Sequence, residues 1–123
     1  IELANKHPRV NILSSGIGVG GHCIPKDPWF IIQADPKNTI LISTARRVND
    51  SMPEKIASKI RKALKDVKNP KIIALGMTYK PDSADLRESP ALEIIRILKE
   101  EGYNITGYDN FVEGNKYDLI KNI

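Results

Sequence analysis

A chain of 123 residues, 41% hydrophobic and 28% charged, has the make-up of a folded globular protein, enough for one compact domain or parts of two. Its apolar runs are short, as at Ile72-Ile-Ala-Leu, so a membrane-spanning helix is not expected, and the first residues lack the basic head and apolar core of a signal peptide. The net charge of +4 and the single cysteine exclude little more: a lone thiol forms no internal disulfide, which points to a cytoplasmic setting.

Residues 1–38 mix glycine, proline and polar residues with short apolar stretches. A brief strand is predicted at 10–13, and Pro25, Pro28 and Pro36 argue against helix over much of the stretch to residue 38. The chain starts at Ile1 rather than methionine, so truncation at its front is expected. Residues 39–67 read as helix, in two pieces running nearly end to end. The first covers 39–48, with Leu41, Ala45 and Val48 on one face. The second starts near Ser51, where Ser51, Pro53 and Glu54 make a capping box with proline in the first turn. Its apolar stripe is Ile56, Ile60, Ala63, Leu64 and Val67, with lysines opposite. The cationic residues Lys59, Arg61, Lys62, Lys65, Lys68 and Lys71 spread around that helix and its exit without interleaved stacking aromatics. They read as a solvated face rather than a nucleic-acid surface.

Residues 68–123 change texture. A strand at 71–75, a helix at 90–101 and a strand at 104–108 make a βαβ unit, with Ser89 as N-cap, Pro90 at the first helical position and Gly102 past the last. Ile94, Ile95 and Leu98 supply the buried helical face. Two strands are a poor sheet, so most of a doubly wound domain is expected beyond Ile123.

Gly16, Gly18 and Gly21 satisfy the dinucleotide spacing G-x-G-x-x-G, with Asp35 downstream as a ribose acid. That fingerprint needs a helix opening at once on the pyrophosphate, and prolines occupy the place where it would run. The glycines instead read as backbone that lies close to a ligand and presents Cys23. Cys23 sits among His22, Lys26 and Asp27, and nearby positive charge favours a thiolate; an inert buried thiol is the alternative, and local sequence leaves the two even. His22 and Cys23 are adjacent rather than ligand-spaced and the other histidine is His7, so no metal site is expected.

The second cluster, Gly76-Met-Thr-Tyr-Lys-Pro-Asp-Ser-Ala-Asp-Leu-Arg-Glu-Ser-Pro, joins the first strand to the following helix, at the strand end where ligands of open α/β sheets bind. It is longer than a plain connection requires. Lys80 and Arg87 suit phosphate and Tyr79 suits stacking on a base; the alternative is a solvated loop in which Arg87 pairs with Asp82 or Asp85.

Together these residues resemble the UDP-glucose/UDP-N-acetylmannosamine dehydrogenase family. Gly18-Val-Gly-Gly-His-Cys-Ile-Pro-Lys-Asp-Pro-Trp-Phe-Ile is similar to its catalytic loop, Ala45-Arg-Arg-Val-Asn-Asp to the helix after that loop, and Gly76-Met-Thr-Tyr-Lys-Pro-Asp with Leu86-Arg-Glu-Ser-Pro to the entry of its UDP-binding domain. The resemblance implies an α/β chain: the end of a helical central domain with its connecting helix at 1–67, then at 68–123 the first βαβ half of a Rossmann-like UDP-binding domain. The family's N-terminal NAD-binding domain and its catalytic lysine are absent from this stretch.

The implied reaction is oxidation of a UDP-sugar at C6 by two NAD, toward polysaccharide precursors, in a homo-oligomer of two or more subunits. By the same resemblance Cys23 is the nucleophile and Asp27 acts on water. Gly20, Tyr79 and Lys80 meet substrate, His7 and Arg9 reach it across a subunit interface, and Arg87 contacts NAD. His22 with Asp27-Pro-Trp-Phe, and His7-Pro-Arg-Val-Asn-Ile-Leu, resemble the branch acting on UDP-N-acetyl-D-mannosamine. Lys26 resembles the UDP-glucose branch, and UDP-GlcNAc or UDP-glucose is the alternative substrate. A fragment of this extent is expected to be inactive by itself, leaving a nucleotide-sugar binding module as the competing reading.

Overall fold

The computed structural model describes residues 2–9 and 16–112, and the strand expected at 10–13 lies outside them. After a single 3-10 turn at Ala4–Lys6 the elements are α1 (Asp27–Ala34), α2 (Ile40–Asp50), α3 (Met52–Leu64), β1 (Lys71–Leu75), α4 (Pro90–Glu100) and β2 (Asn104–Tyr108).

The prolines do not keep 27–34 from being helical. Pro28 lies in the first turn of α1, where its missing N–H has no intrahelical acceptor to lose and its fixed φ suits the helix. The next two helices, α2 and α3, abut as expected, one residue apart at Ser51. The capping box does not form. The Ser51 hydroxyl donates to Val48 O at 2.7 Å, and Glu54 pairs with Arg61, because a residue placed directly after α2 sits in helical backbone and finds a carbonyl before it finds free amides. Ser89 likewise precedes α4 without capping it: its hydroxyl donates to Met77 O at 2.6 Å, tying the helix to the end of β1.

At the other end of α4, Gly102 takes φ +88. Its N–H donates to Lys99 O at 2.9 Å while Tyr103 N donates to Leu98 O at 3.0 Å, the paired bonds of a Schellman ending. The chain then enters β2, which pairs in parallel with β1 in the register Ile73 to Thr106. The βαβ unit thus stands with both strands where the sequence places them.

The core lies where α3 and α4 meet and over one face of the sheet. Met77, Ile95 and Leu98 are fully buried, with Ala57, Leu86, Ile94 and Ile105 around them. Each large apolar side chain so buried contributes about 2 kcal/mol. Ile94, Ile95 and Leu98 are the expected helical face. On α3 the stripe shifts: Ile56 and Ile60 pack on the core and Ala57 joins them, but Ala63 is exposed and Val67 lies past the helix. On α2 the expected apolar face is turned outward. Leu41 and Val48 are exposed while Ser43 and Arg46 are buried, because α2 meets its neighbours through the side carrying Arg46 and Asn49.

Candidate functional site: the cysteine loop on the strand-to-helix connection

The glycine run is an irregular segment, and α1 opens only at Asp27, beyond Cys23. The amides that a pyrophosphate would need are spent locally: Lys26 N and Asp27 N donate to Cys23 O at 2.9 and 2.8 Å. Asp35 is also engaged, accepting from Asn38 N and Nδ2 at 3.3 and 2.8 Å. These bonds, the side-chain one foremost, hold its carboxyl below the ordinary range. The dinucleotide fingerprint therefore has neither its helix nor its free acid.

The loop is seated on the connection between β1 and α4. Val19 N donates to Asn49 Oδ1 and Gly21 N to Arg87 O, both at 2.9 Å. A Cβ at Gly20 would stand 2.5 Å from Glu88 O and 2.6 Å from Tyr79 Cβ; one at Gly21 would stand 2.9 Å from the Tyr79 ring. Gly21 also takes φ +91, a conformation open mainly to glycine. Both glycines are needed because backbone lies against backbone and ring. Lys26 Nζ completes the seat with Glu88 Oε1 at 3.1 Å.

Beyond that seat the loop turns to solvent. Cys23 is exposed, so the buried, inert thiol is not found, and its Sγ lies 4.0 Å from His22 Nδ1. Lys80 Nζ stands 5.7 Å from the Tyr79 ring centroid. Arg87 makes a two-pronged pair with Asp85, Nε at 2.9 and 3.0 Å and Nη2 at 2.6 Å. Hydrogen bonds from Arg87 push the Asp85 carboxyl down to about 2; the same pair raises Arg87, with smaller contributions from Tyr79 and Cys23. The pairing of Arg87 with an acid and the docking of the cysteine loop thus coexist, and Nη1 is left outside the pair.

Cys23, Asp27, Gly20, Tyr79, Lys80 and Arg87 therefore belong to one neighbourhood. His7 and Arg9 are not joined to it by any described hydrogen bond or ion pair; they meet each other, Arg9 N donating to His7 Nδ1 at 3.2 Å. In the sequence Asp109 carries no signal beyond its place just after the second strand. Its Oδ2 accepts from Met77 N at 2.8 Å and Thr78 N at 3.3 Å, and its Oδ1 from Phe111 N at 2.9 Å, fixing the root of the Tyr79 loop. Burial works to raise its pKa, but these backbone bonds outweigh burial and leave it low. Asn49 was legible only as part of the Ala45–Asp50 run. Behind the loop a cavity of about 480 Å³ opens between Pro25, Arg46, Pro53, Leu86 and Pro90. Arg46 is buried there, paired with Asp50, with its Nε facing no acceptor among the described residues.

Residues 1–51 match the model of the UDP-glucose/GDP-mannose dehydrogenase family, central domain, and residues 73–122 match that family's UDP binding domain. The chain belongs to this family. It is 56% identical over 101 residues to a UDP-N-acetyl-D-mannosamine dehydrogenase of Campylobacter jejuni, covering 82% of this chain and 25% of that one. It is 51% identical over 120 residues to the enzyme of that name from Methanocaldococcus jannaschii, covering 97% and 27%. A solved UDP-D-ManNAc dehydrogenase from Pyrococcus horikoshii superposes with a TM-score of 0.76 at 42% identity, over 97% of this chain and 29% of that one. The chain thus spans about a quarter of the length of the curated relatives it matches. Among the described residues no helix is long and apolar enough to cross a membrane, and no three His, Cys, Asp or Glu side chains gather as a metal site.

Proposed function

We propose that this chain is the cysteine-loop and UDP-binding portion of an NAD-dependent dehydrogenase that oxidises UDP-N-acetyl-D-mannosamine at C6 to the uronate. The observation that carries the reading is the seating of Gly20 and Gly21 on Tyr79 and Arg87, which brings an exposed thiol to the strand end where α/β sheets bind nucleotides. The relatives' names support the amino sugar over glucose.

Residues 1–67 are then the end of the central domain with its connecting helix, and 68–123 the first part of the UDP-binding domain. Tyr79 and Lys80 hold the nucleotide sugar, Gly20 lies against it, and His7 and Arg9 reach substrate from a second subunit of a homo-oligomer. Arg87 fits the dinucleotide: its guanidinium is exposed and Nη1 lies outside the Asp85 pair, although that pair offsets part of its charge. NAD supplies acceptance of a hydride in each of two oxidations. The sole cysteine is in keeping with a cytoplasmic enzyme.

Cys23 does the covalent work. As thiolate it adds to the C6 aldehyde, forming a C–S bond, and the oxyanion produced is a thiohemiacetal that cannot diffuse away. Loss of hydride from C6 leaves a thioester. Water, oriented by Asp27 at the head of α1, adds to the thioester carbon. The C6–S bond breaks with its electron pair going to sulfur, one water proton restores the Cys23 thiol, and C6 leaves as a carboxylate with the other proton released to solvent. The backbone N–H of Asp27 donates to Cys23 O, so acid and thiol stand on one turn.

The test is NADH formation by the full-length enzyme carrying this segment, with UDP-N-acetyl-D-mannosamine, UDP-GlcNAc and UDP-glucose offered separately. Two NADH per sugar with the mannosamine substrate, and none after Cys23→Ser, is the expected result. Undiminished turnover in that variant removes Cys23 from the mechanism, and preference for another sugar overturns the substrate.

A further inference from the structure

We infer that Glu88 is a positioning residue, a latch that holds the cysteine loop in register with the nucleotide-binding connection. Glu88 takes φ +50, a left-handed backbone that costs energy in any residue but glycine, asparagine or aspartate. That conformation sends its carbonyl and its side chain to the same loop. Its carbonyl lies over Gly20, while its carboxylate reaches Lys26 at 3.1 Å.

Lys26 is well placed to pass the constraint on. Its amide is bonded to Cys23 O at 2.9 Å, as is that of Asp27 at 2.8 Å, so a hold on Lys26 is a hold on the turn that carries the thiol and the acid. The base of the latch is firm. Arg87 O accepts from Gly21 N, and the buried Ser89 donates to Met77 O, two residues before Tyr79. Glu88 therefore sits between the group that presents sulfur and the group that faces nucleotide. The pair is half exposed, so its energy is modest and its effect is geometric.

This role rests on the dehydrogenase reading, and its test has a readout independent of turnover. In the full-length enzyme, Glu88→Gln, Lys26→Met, Lys26→Arg and the double variant E88Q/K26M are compared in steady-state kinetics and in the rate at which iodoacetamide alkylates Cys23. Each single charge removal is expected to lower kcat about threefold to fivefold, with KM for UDP-sugar and for NAD within about twofold. Lys26→Arg keeps the charge and stays within about twofold of the unaltered enzyme. The double variant is no slower than the slower single, and the alkylation rates show the same non-additivity. Full rates in both singles, independent losses that multiply in the double, or an equal loss in Lys26→Arg would each overturn the latch. If the unaltered enzyme yields no NADH from any UDP-sugar, the dehydrogenase reading fails, and the alkylation cycle still decides whether Glu88 and Lys26 position the thiol together.

Discussion

A side chain on Gly20 has no space to enter. Its Cβ would lie 2.5 Å from a backbone oxygen, which cannot swing aside as the tip of a long side chain can. Gly20→Ala must therefore lift the loop from Tyr79 and Glu88, at a cost of about 1–3 kcal/mol in the docked state. The expected outcome is a fall in kcat of at least about tenfold in the full-length enzyme, with Cys23 still open to iodoacetamide because the thiol stays exposed, though at an altered rate. Gly16→Ala is the control, since among the described residues its added Cβ meets nothing within 4 Å. Equal kinetics in the two variants would show that loop contact is irrelevant to turnover.

Elements that rest on local chemistry were legible in the sequence. Both strands, the span of α4 with its buried face, and the cap at Gly102 arise from patterns written in the residues that form them. The illegible features depended on contacts made from afar. Pro28 reads as a breaker until one sees that the turn closed on Cys23 O lets a helix open just before it. The outward face of α2, and the polar side that meets the loop through Asn49, come from packing that no helical period encodes. The cysteine and the Tyr79–Arg87 cluster could be picked out separately, but their meeting through Gly20, Gly21 and Glu88 could not.

Asp109 is the clearest such case, because one carboxylate at the end of β2 fixes the exit of β1. Its folded pKa lies below the ordinary 3.8, so its contribution is present above that value and is lost as pH falls through the lower, folded one. Asp109→Asn turns a donor toward backbone donors and is expected to cost about 2 kcal/mol at pH 7. The gap in denaturant-measured stability between the two proteins then narrows below about pH 4. A gap of constant size down to about pH 2.5 would mean that the charge at this position is immaterial.

Across the whole molecule, α3 is the joint. It lies between the stretches that match the central and UDP-binding domains, packs Ala57 into the core beside Ile94, Ile95 and Leu98, and sends Arg61 to Glu101 at 2.6 Å. Ala57 is fully buried, so the separation of α3 from α4 is set by a methyl group. That separation matters to the site because the cysteine loop is anchored on both sides of it, to Asn49 on α2 and to Arg87 just before α4. Ala57→Leu forces the helices apart and is expected to cost about 1–3 kcal/mol. Ala57→Gly costs about 1 kcal/mol through helix propensity but leaves the helices free to keep their spacing. Melting temperature is therefore expected to fall in both variants of the full-length enzyme, while kcat falls severalfold in Ala57→Leu alone. Equal kcat in two variants of matched stability would show that the two anchors tolerate the shift, and that the joint serves stability without governing the site.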